Sequence, residues 1–380
     1  MKVPLLDLKA QYATVREEVE RAVAAVFDEQ HFVLGPIVSR FEREMEAYTG
    51  ARHAIGVASG SDALLLALQA LEIGPGDTVV TSPFTFFAPA GAVARVGATL
   101  RFADIDPETF NLDPEGVARV LDATTTGRRV ILPVHLYGRL AAMDELARAA
   151  ERFDAVLVED AAQAVGAREK TGRRRMAGTI GRLGALSFFP SKNLGGAGDG
   201  GMVLTDDDGL AERLRMLRVH GAGSHRYLHE RIGLNSRLDA LQAAVLSVKL
   251  RRLDDWNARR RERAARYALR FEEAGLTPGK VRTPEISGED HVVHQYVIRA
   301  EKRDALREAL GRANVETQIY YPLALHQQPC FATLGYRNGD FPVCERATTE
   351  CVALPIYPEL RDEQIDHVVA SAHAFYRAAG

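Results

Sequence analysis

Cysteine, tryptophan and surplus charge are all scarce in this chain of 380 residues, which has 3 cysteines, 1 tryptophan and a formal net charge of −3. The cysteines, Cys330, Cys344 and Cys351, are spaced 14 and 7 apart. Those spacings fit no zinc pattern, so no metal site is expected, and an odd count does not suggest a disulfide framework. The near balance of 48 basic and 51 acidic residues leaves no global field to attract nucleic acid or an anionic membrane. No apolar run approaches the ~20 residues needed to cross a bilayer. Met1 to Asp7 lacks the apolar core of a signal peptide, and a reducing cytoplasm is the expected compartment. Internal repeats and low-complexity tracts are also missing. What remains is ordinary for a soluble globular protein, with 46% hydrophobic and 26% charged residues. The length allows one large domain and a smaller one.

Helical spacing of Val15, Val19, Ala22, Val23 and Val26, and of Phe41, Met45 and Tyr48, predicts two opening helices. The breaker Gly35-Pro36 separates them. Short apolar strands follow at 54–57, 78–81, 99–103, 130–134 and 155–159. Helices between them begin near Ser61, Ala88, Pro114 and Met143. This alternation predicts an α/β fold with a mainly parallel sheet covered on both faces. Strands at 184–189 and 201–205 flank a glycine-rich loop. Beyond residue 206 the pattern turns helical. One helix is expected from near Arg237 toward Trp256, and another runs to about Ala274. A strand at 292–299, a helix at 302–313, a strand at 315–320 and a last helix at 360–377 complete the reading. Residues 13–250 are read as a large domain and 251–380 as a small one, with residues 1–12 packing near the latter. The clusters Arg173 to Arg175, Arg251 to Arg252 and Arg259 to Arg261 read as solvated faces.

Chemistry concentrates at strand ends. Ala155 to Asp160 is an apolar strand ending in acid, and ligands of open α/β sheets bind at that edge. Ser187 ends another strand, and Lys192 follows in a turn set among Leu186, Phe188, Phe189 and Leu194. Desolvation there lowers an amine's pKa and makes it nucleophilic toward a carbonyl. Ser59-Gly60-Ser61-Asp62 joins a strand to a helix start. Free N–H groups favour an anion at such a start, although a capped helix reads the same way. Gly60, Ser61 and Ser187 could together hold one phosphate. Gln163 could bond a ring hydroxyl or be a loop amide. An aromatic of the Phe84 to Phe87 segment could stack on a flat ring. Phe86 is the choice, although position alone does not separate it from Phe84 or Phe87. An acid for a pyridine nitrogen, a hydroxyl for a phosphate and an amine for an aldehyde are what pyridoxal phosphate requires. The glycine segment 195–201 lacks a following helix, so a dinucleotide fingerprint is poorly supported.

Several segments resemble the nucleotide-sugar aminotransferases of the DegT/DnrJ/EryC1/StrS group: Glu159 to Ala164, Ser187 to Gly195, Gly198 to Gly201, Pro4 to Leu8, Gly56 to Leu65 and Gly233 to Ala244. The resemblance runs from residue 3 to about 375. It implies the fold type I pyridoxal phosphate-dependent transferase architecture, a three-layer αβα domain plus a smaller C-terminal α/β domain. It implies that Lys192 bonds the cofactor aldehyde and Asp160 pairs with the ring nitrogen. Gln163 would contact the ring hydroxyl, Phe86 would stack on the ring, and Gly60, Ser61 and Ser187 would hold the phosphate. Asn235 would reach the cofactor phosphate of a second subunit, making the site shared in a homodimer. Tyr320, Tyr321 and His326 would line the sugar pocket, with Arg237 entering from the partner. L-Glutamate is the implied amino donor and a keto nucleotide-sugar the acceptor. Phe-Phe-Pro-x-Lys-Asn resembles members that aminate C3 of UDP- or dTDP-linked sugars, whereas C4 members more often carry His-Pro there. Two positions depart from the pattern: Pro89 stands where Thr is expected, and Tyr320 where sugar-acid members often carry His. The alternatives are a C4 aminotransferase, a dehydratase relative, in which histidine replaces the lysine, and a non-catalytic sensor.

Overall fold

Strands rich in valine, leucine and isoleucine form the centre of the protein, and most are buried on both faces. The computed structural model describes residues 1–170, 172–223, 225, 227–286 and 288–379. Seven strands make the main sheet: β1 (His53–Val57), β2 (Thr78–Thr81), β3 (Thr99–Phe102), β4 (Arg129–Leu132), β5 (Ala155–Asp160), β6 (Leu183–Ser187) and β7 (Gly201–Thr205). Their order is β1-β7-β6-β5-β4-β2-β3. Only β7 is reversed, antiparallel to both β1 and β6. The carboxyl ends of β1, β2, β4, β5 and β6 therefore share one edge.

Adjacent residues on these strands enter different cores, as the two-residue period requires. Val79, Val130, Ala185 and Val203 face one layer, while Leu186, Met202 and Leu204 face another. Val80, Ile131 and Leu157 enter a third cluster. The covering helices are α1 (Leu8–Ala13), α2 (Arg16–Glu29), α3 (Gly35–Thr49), α4 (Gly60–Ala70), α5 (Ala88–Arg95), α6 (Pro114–Asp122), α7 (Met143–Arg152), α8 (Asp208–Leu217) and α9 (Ala240–Leu250). The result is the mainly parallel α/β architecture expected from the sequence.

The C-terminal part holds α10 (Leu253–Glu273), β8 (Val281–Arg282), β9 (Tyr296–Ala300), α11 (Arg303–Arg312), α12 (Pro342–Glu350), β10 (Cys351–Leu354) and α13 (Asp362–Ala379). Its three-stranded sheet has the order β10-β9-β8. The single helix expected from Arg237 to Trp256 is in fact two. Asp239 caps α9, accepting from the Gln242 N–H at 2.8 Å, and α9 ends at Leu250 before α10 resumes at Leu253. We propose that the domains divide at this break. Val3 pairs with Val315 across it. The expected strand 315–320 does not form. It is split between single bridges, Val3 to Val315 and Gln318 to Ala353. The strand expected from 292 begins only at Tyr296, because Val293 takes a positive φ of 48°. The segment before it is a buried turn.

Candidate active site

The register of β7 assembles the anion cradle. Gly201 lies opposite both Val57 of β1 and Ser187 of β6. The chain leaving β1 can therefore fold over the start of β7 toward Ser187. It does so closely: a Cβ on Gly201 would lie 2.3 Å from the Ser59 carbonyl carbon, and one on Gly60 would lie 2.6 Å from Ser187 Cβ. Ser59 caps α4, its hydroxyl accepting from the Asp62 N–H at 3.1 Å. Gly60 and Ser61 are thus the first residues of a helix whose positive end faces the Ser187 hydroxyl.

Asp160 ends β5, next to β6, in register with Ala185. It is 5% exposed, and its Oδ1 accepts from the Ala162 N–H at 3.0 Å. Burial raises its pKa, opposed by that N–H and by the charge of Lys192. Glu159, its sequence neighbour, serves the fold. It is fully buried and accepts from the Gly178, Ile180 and Gly181 N–H groups at 2.8, 2.6 and 2.6 Å. It also bonds His135 Nε2 at 2.8 Å. Since His135 Nδ1 accepts from the Ala141 N–H at 3.1 Å, Nε2 is the donor to Glu159.

Lys192 sits in a turn closed by its own N–H to the Phe189 carbonyl at 2.8 Å. Among the described residues its amine has no hydrogen-bond partner. Burial lowers its pKa to about 8, with Asp160 pulling the other way. The residue as a whole is half-buried, and desolvation outweighs the pull of Asp160. The glycine loop after it is pinned from α9. Lys249 Nζ donates to the Gly195 carbonyl at 2.7 Å, and Gln242 Oε1 accepts from the Ala197 N–H at 2.7 Å.

Gln163 is buried, and its Oε1 accepts from the Tyr137 N–H at 2.7 Å. That leaves Nε2 as the outward donor, 3.3 Å from the Tyr321 hydroxyl. Tyr321 therefore stands beside Gln163 and Asp160, while the Tyr320 ring packs edge-on against Tyr321 and its hydroxyl meets Gln295. The three phenylalanines separate in the structure. Phe84 is buried against Phe110 and Tyr321, and Phe87 stacks on Phe331 at 5.5 Å. Phe86 is 58% exposed. Pro89 is buried in the first turn of α5.

His326 is not brought to this group. Its side chain is 1% exposed, bonded to Glu345 at 3.1 Å and set against Phe341 at 4.8 Å. A ring so enclosed has no face left for a sugar. Asn235 is exposed and Arg237 partly so. Between them Ser236 is buried, its hydroxyl accepting from the Ala58 N–H at 3.1 Å. This anchors the 235–237 segment to the chain that leads into the cradle. The arginine clusters are largely ion-paired: Arg174 with Glu289, Arg175 with Glu169, Arg251 and Arg252 with Glu18, and Arg259 with Asp255. The buried polar residues Asn193, Asn257 and His294 were not legible in the sequence. Each looks like a loop or helix-face residue until the fold brings them together.

An aldehyde for the amine, a ring nitrogen for the buried carboxylate and a phosphate for the cradle are the parts of pyridoxal phosphate. The space that a Cβ would fill at Gly60 is what lets a phosphate approach both Ser187 and the helix N–H groups. Fold and fit together define the class, a pyridoxal phosphate-dependent aminotransferase.

Comparison with known proteins gives the family. Residues 13–373 match the DegT/DnrJ/EryC1/StrS aminotransferase family, and the chain belongs to it. It is 48% identical to a pleiotropic regulatory protein of Geobacillus stearothermophilus, over 99% of both chains. It is 44% identical to the dTDP-3-amino-3,4,6-trideoxy-alpha-D-glucose transaminase of Streptomyces venezuelae, covering 97% of this chain and 94% of that one. The UDP-N-acetyl-3-dehydro-alpha-D-glucosamine 3-aminotransferase of Acidithiobacillus ferrooxidans is 41% identical, over 96% of both. The crystal structure of S. venezuelae DesV superposes with a TM-score of 0.91 at 42% identity, covering 98% of each chain.

Proposed function

We propose that this aminotransferase moves an amino group from L-glutamate to C3 of a 3-keto hexose linked to dTDP or UDP. The observation that carries the reading is the buried Asp160 carboxylate, close enough to Lys192 for each to shift the other's pKa, beside an anion cradle at Gly60, Ser61 and Ser187. The C3 assignment is supported by the Phe188-Phe189-Pro190 lead into Lys192 and by relatives named for 3-amino and 3-dehydro sugars.

When bound, pyridoxal phosphate supplies an aldehyde for the amine and a ring that draws electrons from the reacting carbon. Asp160, as a carboxylate, holds a proton on the ring nitrogen and so strengthens that pull. Gln163 Nε2 would donate to the ring hydroxyl, and Phe86 would cover one ring face. Gly60, Ser61 and Ser187 hold the phosphate. Lys192 Nζ takes the proton from Cα of L-glutamate. In the second half it returns a proton to the sugar carbon that receives nitrogen. Tyr320 and Tyr321 line the sugar side, and Asn235 and Arg237 reach the site of a second subunit in a homodimer.

Some relatives carry regulatory names. A sensor without chemistry would be expected to lose Lys192, Asp160 or Ser187, and all three are in place. Among the described residues no helix is long and apolar enough to cross a membrane. The three cysteines without a disulfide fit a reducing cytoplasm, and the near balance of charge fits a protein without nucleic-acid partners.

The test is a half-reaction. Protein loaded with pyridoxal phosphate should bleach with L-glutamate, and its amino form should regain colour with dTDP- or UDP-3-keto hexoses. Recovery only with 4-keto sugars would move the assignment to C4, and recovery only with small keto acids would overturn the substrate class.

A further inference from the structure

A buried polar chain runs behind the lysine turn. Asn193, the residue after Lys192, is 4% exposed, and its side chain is fully engaged. Its Nδ2 donates to Asn257 Oδ1 at 2.7 Å and to the Val292 carbonyl at 3.1 Å. Its Oδ1 meets His294 Nδ1 at 3.1 Å. Since Oδ1 only accepts, His294 carries its proton on Nδ1 and presents a bare Nε2. Asn257 in α10 continues the chain, donating from Nδ2 to the Val165 carbonyl at 3.1 Å. Val165 lies just beyond Asp160 and Gln163. The chain thus links the lysine turn to the loop that carries the acid.

His294 is itself held from behind. Arg260 Nη1 donates to its backbone carbonyl at 3.3 Å and to those of Val293 and Ile356 at 3.3 and 3.1 Å. With Ser191, Tyr320 and Gln295, His294 lines a small cavity against the lysine turn.

We propose that His294 is a positioning residue: it holds the Asn193 side chain, which Asn257 in turn ties to the Asp160–Gly166 loop, so that the Lys192 turn is fixed, and its ring shields the lysine amine from water. The inference rests on Lys192 being the cofactor-binding amine. The charged groups around the pair are Asp160 on β5, Lys192 itself, and Arg260 on α10, with Glu359 near Arg260. Burial and the charges of Lys192 and Arg260 hold His294 well below the usual imidazole range. The ring therefore stays neutral and adds no charge of its own beside the amine.

The sign of the effect follows. Lys192 titrates at about 8 because it is desolvated. Removing the ring admits water and frees Asn193, so the amine's pKa rises toward its ordinary value. The measurement is competitive acetylation of Lys192 in cofactor-free protein across pH, read by mass spectrometry, so neither catalysis nor the identity of the sugar enters. His294→Ala should raise the Lys192 pKa by about one unit, leaving about tenfold less free amine at neutral pH. His294→Asn, whose amide nitrogen stands where Nδ1 did and can still donate to Asn193, should restore most of the wild-type value. Folding is checked by near-ultraviolet circular dichroism. A folded Ala variant with an unshifted lysine overturns the proposal. So does a folded Asn variant that titrates like Ala. A wild-type lysine that titrates near 10.5 and does not react with pyridoxal phosphate would instead overturn the assignment of Lys192 itself.

Discussion

At the scale of single residues, the site depends on two groups whose environments push them off their ordinary pKa values. Lys192 is lowered to about 8 from 10.5 by burial, so its free amine becomes abundant one to three pH units earlier than a surface lysine's. In cofactor-free protein, the rate of yellow colour formation with pyridoxal phosphate should rise about tenfold per unit below pH 8 and flatten above it. A rise that continued to pH 10 would mean an unperturbed amine. The linkage has the matching sign. Between about 8 and 10.5 the unfolded chain holds the proton that the folded chain has lost, so this group makes stability increase with pH across that window. Lys192→Ala should form no colour and show no turnover; turnover by that variant would sink the assignment. Asp160→Asn keeps the shape and removes the charge. It should still take up cofactor but lose roughly a hundredfold or more in kcat, as when one preorganised charge is removed. The placement of both residues was legible because a strand-end acid and a lysine in an apolar turn are local signals. The His294–Asn193–Asn257 chain was not, since its members lie far apart in sequence and only folding brings them together. His326 misled for the same reason: its partners, Glu345 and Phe341, come from an element that gave no signal of its own.

At the scale of elements, the start of α4 carries both a structural and a binding task, and substitutions can separate them. Ser59→Ala removes the cap on the Asp62 N–H and should cost about 1 kcal/mol of stability, with cofactor affinity little changed. Gly60→Ala instead puts a methyl 2.6 Å from Ser187 Cβ. Overpacking of that kind costs about 1–3 kcal/mol, and here it also pushes apart the two walls of the cradle. Its cofactor dissociation constant should therefore rise about tenfold or more, measured by fluorescence titration. Equal affinity loss in both variants would mean that the helix start does not hold the phosphate. Most strands of the main sheet were readable because continuous buried valine and leucine runs mark parallel strands; β3, alternately exposed and buried, was readable by its period of two. The C-terminal strands were harder. The stretch 315–320 has strand-like residues, but its neighbours are the N-terminal segment and β10, and each takes only one bridge. α12 and β10 follow one another without a break, leaving no turn signal to divide them.

At the scale of the whole molecule, we propose that the site is completed by a second copy of the chain. Asn235 is exposed although its neighbour Ser236 is buried and tied to Ala58 at the entrance to the cradle. An amide held that firmly beside the site, yet pointing to solvent, suits contact with the cofactor phosphate of a second copy. This reading makes a prediction that no single-chain site can satisfy. Lys192→Ala and Asn235→Ala should each be weak or inactive alone. Co-expressed in equal amounts, half of the dimers would be mixed, and one of the two sites in each mixed dimer would combine an intact Lys192 with the partner's intact amide. Activity should then recover to about a quarter of wild type per chain, counted by single-turnover bleaching with L-glutamate. If Asn235 instead served its own chain, every site in the mixture would lack one group or the other. Co-expression would then give no more activity than the average of the two variants, and the shared site would be excluded.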